Sequence, residues 1–172
     1  MSPAELADKS RRVICRLAEM SELAQARVVM AYAPLPDEVD IMPLLDELAK
    51  QGKRIVFPAL AGDDGRMDAH EVADFREGLR PGRFGLLLPV GGFPVDPREI
   101  DFMLVPAVAY NKTGHRLGRG GGYYDRFLAG RATEAFSCGV AFECQVLEEI
   151  PLREHDCGVD ALVTEEAVRR FS

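Results

Sequence analysis

The segment Gly114–Leu128, GHRLGRGGGYYDRFL, constrains this chain more than any other. Gly114, Gly118, Gly120, Gly121 and Gly122 crowd its first half, together with Arg116 and Arg119. The apolar start of Phe102–Tyr110 upstream reads as a buried strand, and YYDRFL downstream reads as the first turns of a helix. A strand, a glycine-rich loop and a helix start make an anion-binding arrangement. Glycines let backbone N–H groups converge, and the helix start adds partial positive charge. Arg116 and Arg119 can each grip phosphate oxygens through a planar fork. Asp125 stands just past the loop, where a carboxylate can hold the magnesium that accompanies a nucleotide. The segment is not a Walker A motif, since no Gly-Lys-Ser/Thr follows. Nor is it a G-x-G-x-x-G fingerprint, since Tyr123 takes the third glycine's place. The competing reading is a plain surface turn that ends a strand.

Composition narrows the class of protein around this loop. A length of 172 residues predicts one domain, residues 1–172. A formal net charge of −7 argues against non-specific nucleic-acid binding, which needs an excess of Lys and Arg. The start, MSPAELADKSRR, has no apolar core of a signal peptide, and no apolar run approaches the ~20 residues of a membrane span. A soluble, cytoplasmic protein with no membrane partner is expected. Cys15, Cys138, Cys144 and Cys157 form no C-x-x-C pair, and four reduced thiols are expected. Neither a nucleophile elbow nor an H-E-x-x-H motif occurs.

Read in order, the chain alternates strands and helices. Ser2-Pro3-Ala4-Glu5 is a capping box opening a helix to about Met20, with Leu6, Val13, Ile14 and Leu17 as its apolar stripe. Ala26–Tyr32 predicts a buried strand, Ile41–Gln51 a helix with Gly52 just past its end, and Lys53–Leu60 a second strand closed by Pro58. AGDDGR (Ala61–Arg66) predicts a turn, Met67–Val72 an edge strand, and residues 76–99 mostly loop. Phe102–Val105 and Phe136–Phe142 predict further core strands. Val159–Phe171 predicts a last strand, with Thr164 capping a short C-terminal helix. The fold class is therefore α/β, three layers around a mostly parallel sheet. Ligands in such sheets bind at the strands' carboxyl ends, where PLPDEVD and the glycine loop both fall. EHDCGVD (Glu154–Asp160) is a third candidate, but it lies at a strand's start and needs a long loop to reach the site.

Outside the loop, single residues are ambiguous. Glu38 can accept hydrogen bonds from paired donors of a heterocycle, or be a solvated acid. Asp156, in EHDCG, can be a second magnesium ligand, or a loop residue bonding local N–H groups. Of Tyr123 and Tyr124, one is expected to stack on a base or pterin and the other to enter the core.

Arg116–Leu128 resembles the signature of the 5-formyltetrahydrofolate cyclo-ligase family, and AYAPLPDEVDI, KRIVFP, AFECQ and IPLREHDCGVDALVTEE extend the likeness in order over most of the chain. The resemblance implies a CoA-transferase-like α/β/α sandwich and an ATP-dependent closure of 5-formyltetrahydrofolate to 5,10-methenyltetrahydrofolate. It implies ATP on Arg116, Leu117, Gly118, Arg119, Gly120, Gly121, Gly122, Tyr123 and Tyr124. Arg119 and Tyr123 would act at the formyl group, Ala33 and Glu38 would bind the folate, and Asp125 and Asp156 would hold Mg2+. A monomer is implied. So is a further helix carrying a K-x-x-x-R motif ahead of residue 1, which Lys9, Arg11 and Arg12 are not placed to replace. Asn111, Leu88 and Ala59 depart from the residues usual in the family (Asp, Glu and Arg). A relative that binds folate or nucleotide without turnover is the alternative reading, and a phosphosugar or CoA enzyme on a similar sandwich is the third.

Overall fold

A computed structural model of the chain describes residues 1–61, 66–82, 86–129, 134–153 and 155–171. Helix α1 (Pro3–Ala18) begins where the capping box predicts. The Glu5 N–H donates to Ser2 Oγ at 3.3 Å, and the Ser2 N–H returns a bond to Glu5 Oε2 at 2.7 Å. Val13 and Leu17 are buried, with Leu6 and Ile14 packed beside them. A short helix, α2 (Ser21–Gln25), leads into strand β1 (Val28–Met30). Helix α3 (Met42–Lys50) buries Leu44, Leu45 and Leu48, each worth roughly 1.5–3 kcal/mol. It stops at Gly52, whose φ of +81° suits a residue without Cβ.

The chain then forms β2 (Arg54–Ala61), β3 (Arg66–Glu71), β4 (Leu79–Pro81), β5 (Leu87–Pro89), β6 (Phe93–Val95) and β7 (Phe102–Pro106). A small hairpin follows, β8 (Ala109–Asn111) and β9 (Arg116–Leu117), and then helix α4 (Tyr123–Ala129). The last strands are β10 (Phe136–Val140), β11 (Val146–Leu147), β12 (Ala161–Val163) and β13 (Val168–Arg170). The main sheet has eight strands in the order β13-β12-β10-β7-β1-β2-β3-β6. Strands β12, β10, β7, β1 and β2 are mutually parallel, whereas β13, β3 and β6 are antiparallel additions. Side-chain alternation splits the parallel strands between two cores. Val29, Ile55, Phe102, Leu104 and Val140 pack with α1–α3 on one face. Met30, Val56, Met103, Val105 and Leu162 pack with Tyr110 and Leu128 of α4 on the other. This is the three-layer α/β architecture the sequence predicts, with a mostly parallel sheet.

Several local expectations change. Pro58 does not close β2. Val56 O accepts from the Ala31 N–H at 2.8 Å, so the alternate Pro58 nitrogen faces the same side, where β1 has ended. No ladder bond is lost there, and β2 continues on β3. Strand β3 is not an edge, because β6 pairs along it. The stretch 76–99 holds the β4–β5 pair, β6 and a turn of 3-10 helix at Pro97–Glu99, not mostly loop. No C-terminal helix forms: Thr164 Oγ1 accepts from the N–H groups of Glu166 and Ala167 and turns β12 back into β13. Helices do not alternate with strands throughout, since β10 reaches β12 through a 3-10 turn, β11 and irregular chain. The AGDDGR turn falls on residues 62–65, outside the described residues.

Candidate functional site

The carboxyl ends of β1, β2 and β7 open onto one cleft. Tyr32 and Ala33 enter it from the end of β1, Pro58 and Leu60 from β2, and Pro106 and Ala107 from β7. Leu86, Leu87 and Leu88 add an apolar wall, and the glycine loop closes the far side with Gly118, Arg119 and Gly121. The position follows from topology, since parallel strands end together and their following loops converge. A second depression, lined by the 33–40 loop with Leu6, Met42 and Phe75, shares Ala33, Glu38 and Leu87 with the first.

The glycine loop does not follow β7 directly. The β8–β9 hairpin intervenes, organised by Asn111, whose Oδ1 accepts from Thr113 N–H (3.0 Å), Thr113 Oγ1 (3.0 Å) and His115 N–H (2.9 Å). A carboxylate could accept the same three bonds, so an amide here keeps the turn intact. Gly120 and Gly122 hold φ of +88° and +62°, the left-handed region that a side chain disfavours. Arg126 Nη2 donates to Gly121 O at 2.6 Å, tying the loop to α4.

The two arginines of the motif part company. Arg116 is 5% exposed. Its Nη1 donates to Cys157 O at 2.6 Å and its Nη2 to Asp125 Oδ1 at 2.5 Å, so it fastens the start of α4 to the 153–158 loop. Its guanidinium carbon lies 6.0 Å from the centre of the Tyr124 ring. Arg119 is half exposed at the cleft mouth. Its Nη2 lies 3.2 Å from Asp37 Oδ2 and 3.6 Å from Glu38 Oε1, a bridge between the glycine loop and the loop after β1.

Glu38 is 12% exposed, and its Oε2 accepts from the Leu35 N–H at 3.0 Å. Burial raises its pKa above the usual carboxylate value, against the pull of the Leu35 N–H and Arg119. Tyr32 and Tyr124 line this end of the cleft, and Tyr110 is buried in the core on the α4 face of the sheet. Tyr32 donates to Val39 O at 3.0 Å, and Tyr110 to Val105 O at 2.7 Å. Tyr124 Oη is buried and has no hydrogen-bond partner among the described residues. Burial, with Glu38 adding to it, pushes its pKa well above the ordinary phenol range. Tyr123 lines the same cleft, half buried, with the Arg126 guanidinium carbon 5.5 Å from its ring centre.

Leu117 is exposed on β9, and Ala33 is buried at the cleft wall. Asp156 is half buried and accepts from the Arg153 N–H at 2.8 Å, within its own loop. It is not among the cleft-lining residues, although its neighbour Cys157 contacts Asp125 O through Sγ at 3.9 Å. Sequence reasoning missed Asp37, Tyr32, Leu86 and Leu87. Asp37 stood beside Glu38 in PDE and was legible. The leucines lay in a stretch read as loop, with no signal to place them.

The donor set suits Mg2+ better than a softer metal. Among the described residues no three His, Cys, Asp or Glu side chains cluster. Magnesium carried by a nucleotide needs only one or two carboxylates beside the phosphates. Asp125 borders the cleft with one oxygen bonded by Arg116, and so fits that role. No helix among the described residues is long and apolar enough to cross a membrane, and none of the four cysteines is paired.

Residues 1–165 match the model of the 5-formyltetrahydrofolate cyclo-ligase family. The chain is 35% identical over 142 residues to the 5-formyltetrahydrofolate cyclo-ligase of Mycolicibacterium smegmatis, covering 80% of this chain and 73% of that protein. It is 27% identical over 175 residues to the Escherichia coli protein of the same name, covering 95% and 92%. The solved structure of Aquifex aeolicus 5,10-methenyltetrahydrofolate synthetase superposes with a TM-score of 0.84 at 37% identity, over 99% of this chain and 84% of that one.

Proposed function

The chain belongs to the 5-formyltetrahydrofolate cyclo-ligase family, and from that premise we propose that it closes 5-formyltetrahydrofolate to 5,10-methenyltetrahydrofolate, converting ATP to ADP and phosphate. The observation that carries this reading is the meeting of the glycine loop and Glu38 across one cleft, in a chain matched to the family over residues 1–165. The whole chain, residues 1–172, acts as one domain in this reading. The catalytic reading is favoured over a binding-only relative, because the signature loop is intact and both relatives carry the enzyme's name.

The chemistry asks for positioning and charge neutralisation rather than a protein nucleophile. The formyl oxygen attacks the γ-phosphorus of ATP, and ADP leaves. The N10 amine then adds to the activated carbon and loses its proton, and phosphate departs with the former formyl oxygen as the ring closes. The backbone of Gly118–Gly122 and the side chain of Arg119 would bind the phosphates, with Arg116, Leu117, Tyr123 and Tyr124 framing that subsite. Arg119 would leave Asp37 for the transferring phosphoryl group and offset its charge, with Tyr123 beside the formyl group. Glu38 and Ala33 would bind the pterin edge. Mg2+, when bound with ATP, would supply further neutralisation of phosphate charge, and Asp125 and Asp156 would be the residues to hold it. The partners are then two small molecules, and the protein acts as a monomer in the cytoplasm.

The test is absorbance-monitored formation of 5,10-methenyltetrahydrofolate from 5-formyltetrahydrofolate with ATP and magnesium. Product that requires ATP supports the enzyme. Folded protein that binds 5-formyltetrahydrofolate without making product would establish the binding-only relative instead.

A further inference from the structure

The crest of the glycine loop touches little of the protein. Beyond its chain neighbours, a Cβ on Gly118 or Gly120 would meet nothing within 4 Å among the described residues. The position of the crest is therefore set by the two ends of the loop. Its far end is tied to α4, where Arg126 donates to Gly121 O. Its near end is the β8–β9 turn, and three groups from outside the cleft lining hold that turn. The Val159 N–H donates to Gly114 O at 2.9 Å. Cys157 O accepts from Arg116 Nη1 at 2.6 Å. The third is the half-buried ring of Phe171, which lies so close over Gly114 that a Cβ there would fall 2.5 Å from Cδ2 and 2.8 Å from Cγ. Gly114 has a φ of +83°, so the turn needs a glycine for its backbone and presents a bare Cα for the ring to cover. Phe171 is itself held. Its N–H donates to Asp160 O at 2.8 Å, and it directly follows β13, whose Arg169 and Arg170 are paired with Glu143 and Glu22. It lies beyond residues 1–165, the stretch matched to the family model.

We propose that Phe171 is a positioning residue for the glycine loop. Its ring, pressed on Gly114, fixes the β8–β9 turn and through it the backbone N–H groups of Gly118–Gly122. This rests on the nucleotide reading of that loop and goes beyond it, since Phe171 is not among the cleft-lining residues. Two hydrogen bonds to neighbouring residues of one segment leave a turn free to rock about them. A ring packed at close contact blocks that motion, because interiors at native density hardly compress. A phosphate is gripped only where several N–H donors converge, and a displacement of about 1 Å in such a set weakens it severely. The folate side is braced separately. Glu38 and Ala33 stand on the loop after β1, where Tyr32 donates to Val39 O at 3.0 Å. Loosening Gly114 should therefore reach the nucleotide and not the folate.

The test is calorimetric titration of a non-hydrolysable ATP analogue with magnesium, and separately of 5-formyltetrahydrofolate, into the parent protein, Phe171→Ala and Phe171→Leu. Titrations are run well below the thermal midpoint of the least stable variant. Phe171→Ala should bind the analogue about tenfold to a hundredfold more weakly, with folate binding unchanged. Phe171→Leu keeps an apolar side chain over Gly114 and should recover most of the loss. If Phe171→Ala does not fold, Phe171→Val is titrated in its place, with the same split expected. A lowered thermal midpoint with both affinities as in the parent makes the ring merely structural and overturns the inference. Equal weakening of both ligands overturns it too, as does a loss that leucine fails to recover. A parent protein that binds the analogue but not 5-formyltetrahydrofolate removes the folate reading, and the analogue titrations still decide the role of Phe171. A parent that does not bind the analogue removes the nucleotide reading of the loop and this inference with it.

Discussion

Arg116 and Arg119 stand three residues apart in one motif and meet opposite surroundings. Removing Arg116 strands Cys157 O and Asp125 Oδ1. Asp125 keeps 31% of its side chain exposed, so water recovers part of the loss. Arg116→Ala should therefore cost about 1–3 kcal/mol of stability, read as a shifted urea midpoint. Arg119→Ala removes only contacts at the exposed cleft mouth. Its midpoint should stay within about 0.5 kcal/mol, while kcat/KM falls about a hundredfold or more. Equal destabilisation by both changes would contradict the division. Glu38 gives a prediction with a pH sign. Burial raises its pKa, so the folded chain holds this proton more readily than the unfolded chain does. Its ionised form thus subtracts stability above the raised pKa, and the penalty fades as pH falls toward the ordinary value of 4.5. Glu38→Gln keeps an oxygen for the Leu35 N–H and drops the charge. It should melt higher than the parent at pH 7.5, with the gap closing toward pH 4.5, and bind folate more weakly. A lower melting point at pH 7.5 would mean that the Arg119 and Leu35 contacts outweigh desolvation.

At the scale of elements, the glycine-loop hairpin meets the main sheet in a close approach between Tyr110 and Gly139. A Cβ on Gly139 of β10 would fall 2.7 Å from Tyr110 Cζ and 2.9 Å from its hydroxyl. Gly139 is buried and Tyr110 wholly enclosed, with its hydroxyl bonded to Val105 O. Gly139→Ala should cost about 1–3 kcal/mol by overpacking and, by displacing β8, also raise KM. An unchanged urea midpoint would show that the hairpin yields freely. This coupling was invisible in the sequence, because a glycine inside a strand run does not say what it faces. The parallel strands and α1 and α3 were legible, since their apolar periods and caps are local signals. Strands β4, β5, β6 and β13 were not, since each has three residues and owes its form to a partner strand. Thr164 shows the limit most plainly. TEEAV reads as a helix start, yet the same hydroxyl caps a turn once Val168–Arg170 pairs with Ala161–Val163. The candidate site was legible as chain segments, namely the glycine loop and the PDE stretch. The burial of Arg116 and the unbonded Tyr124 hydroxyl depend on packing from distant elements, which no spacing encodes.

For the whole molecule, part of the acid sensitivity lies where the C-terminal hairpin joins the rest. The Arg170 guanidinium holds the Glu22 pKa down at about 2, and Arg169 lowers Glu143. Burial pushes Glu165 up, but its bonds from Lys9 and the Glu143 N–H outweigh that and leave it lowered. Depressed carboxylates stabilise the fold above their unfolded value and lose that contribution as pH falls through the folded one. The melting temperature should therefore fall between about pH 4.5 and pH 2, and less steeply in Arg170→Ala. An identical slope in that variant would place the acid response elsewhere. The sheet's two outer strands carry a further consequence. A strand edge invites another chain to pair along its unbonded backbone. Here one edge is β6, three residues with Pro94 in the middle, reached through Gly91 and Gly92 in left-handed geometry. The other is β13, also three residues, with Arg169 and Arg170 drawn into ion pairs with Glu143 and Glu22. Neither offers a long, flat template for a second copy, so this sheet can grow to eight strands without seeding fibres from its own margins.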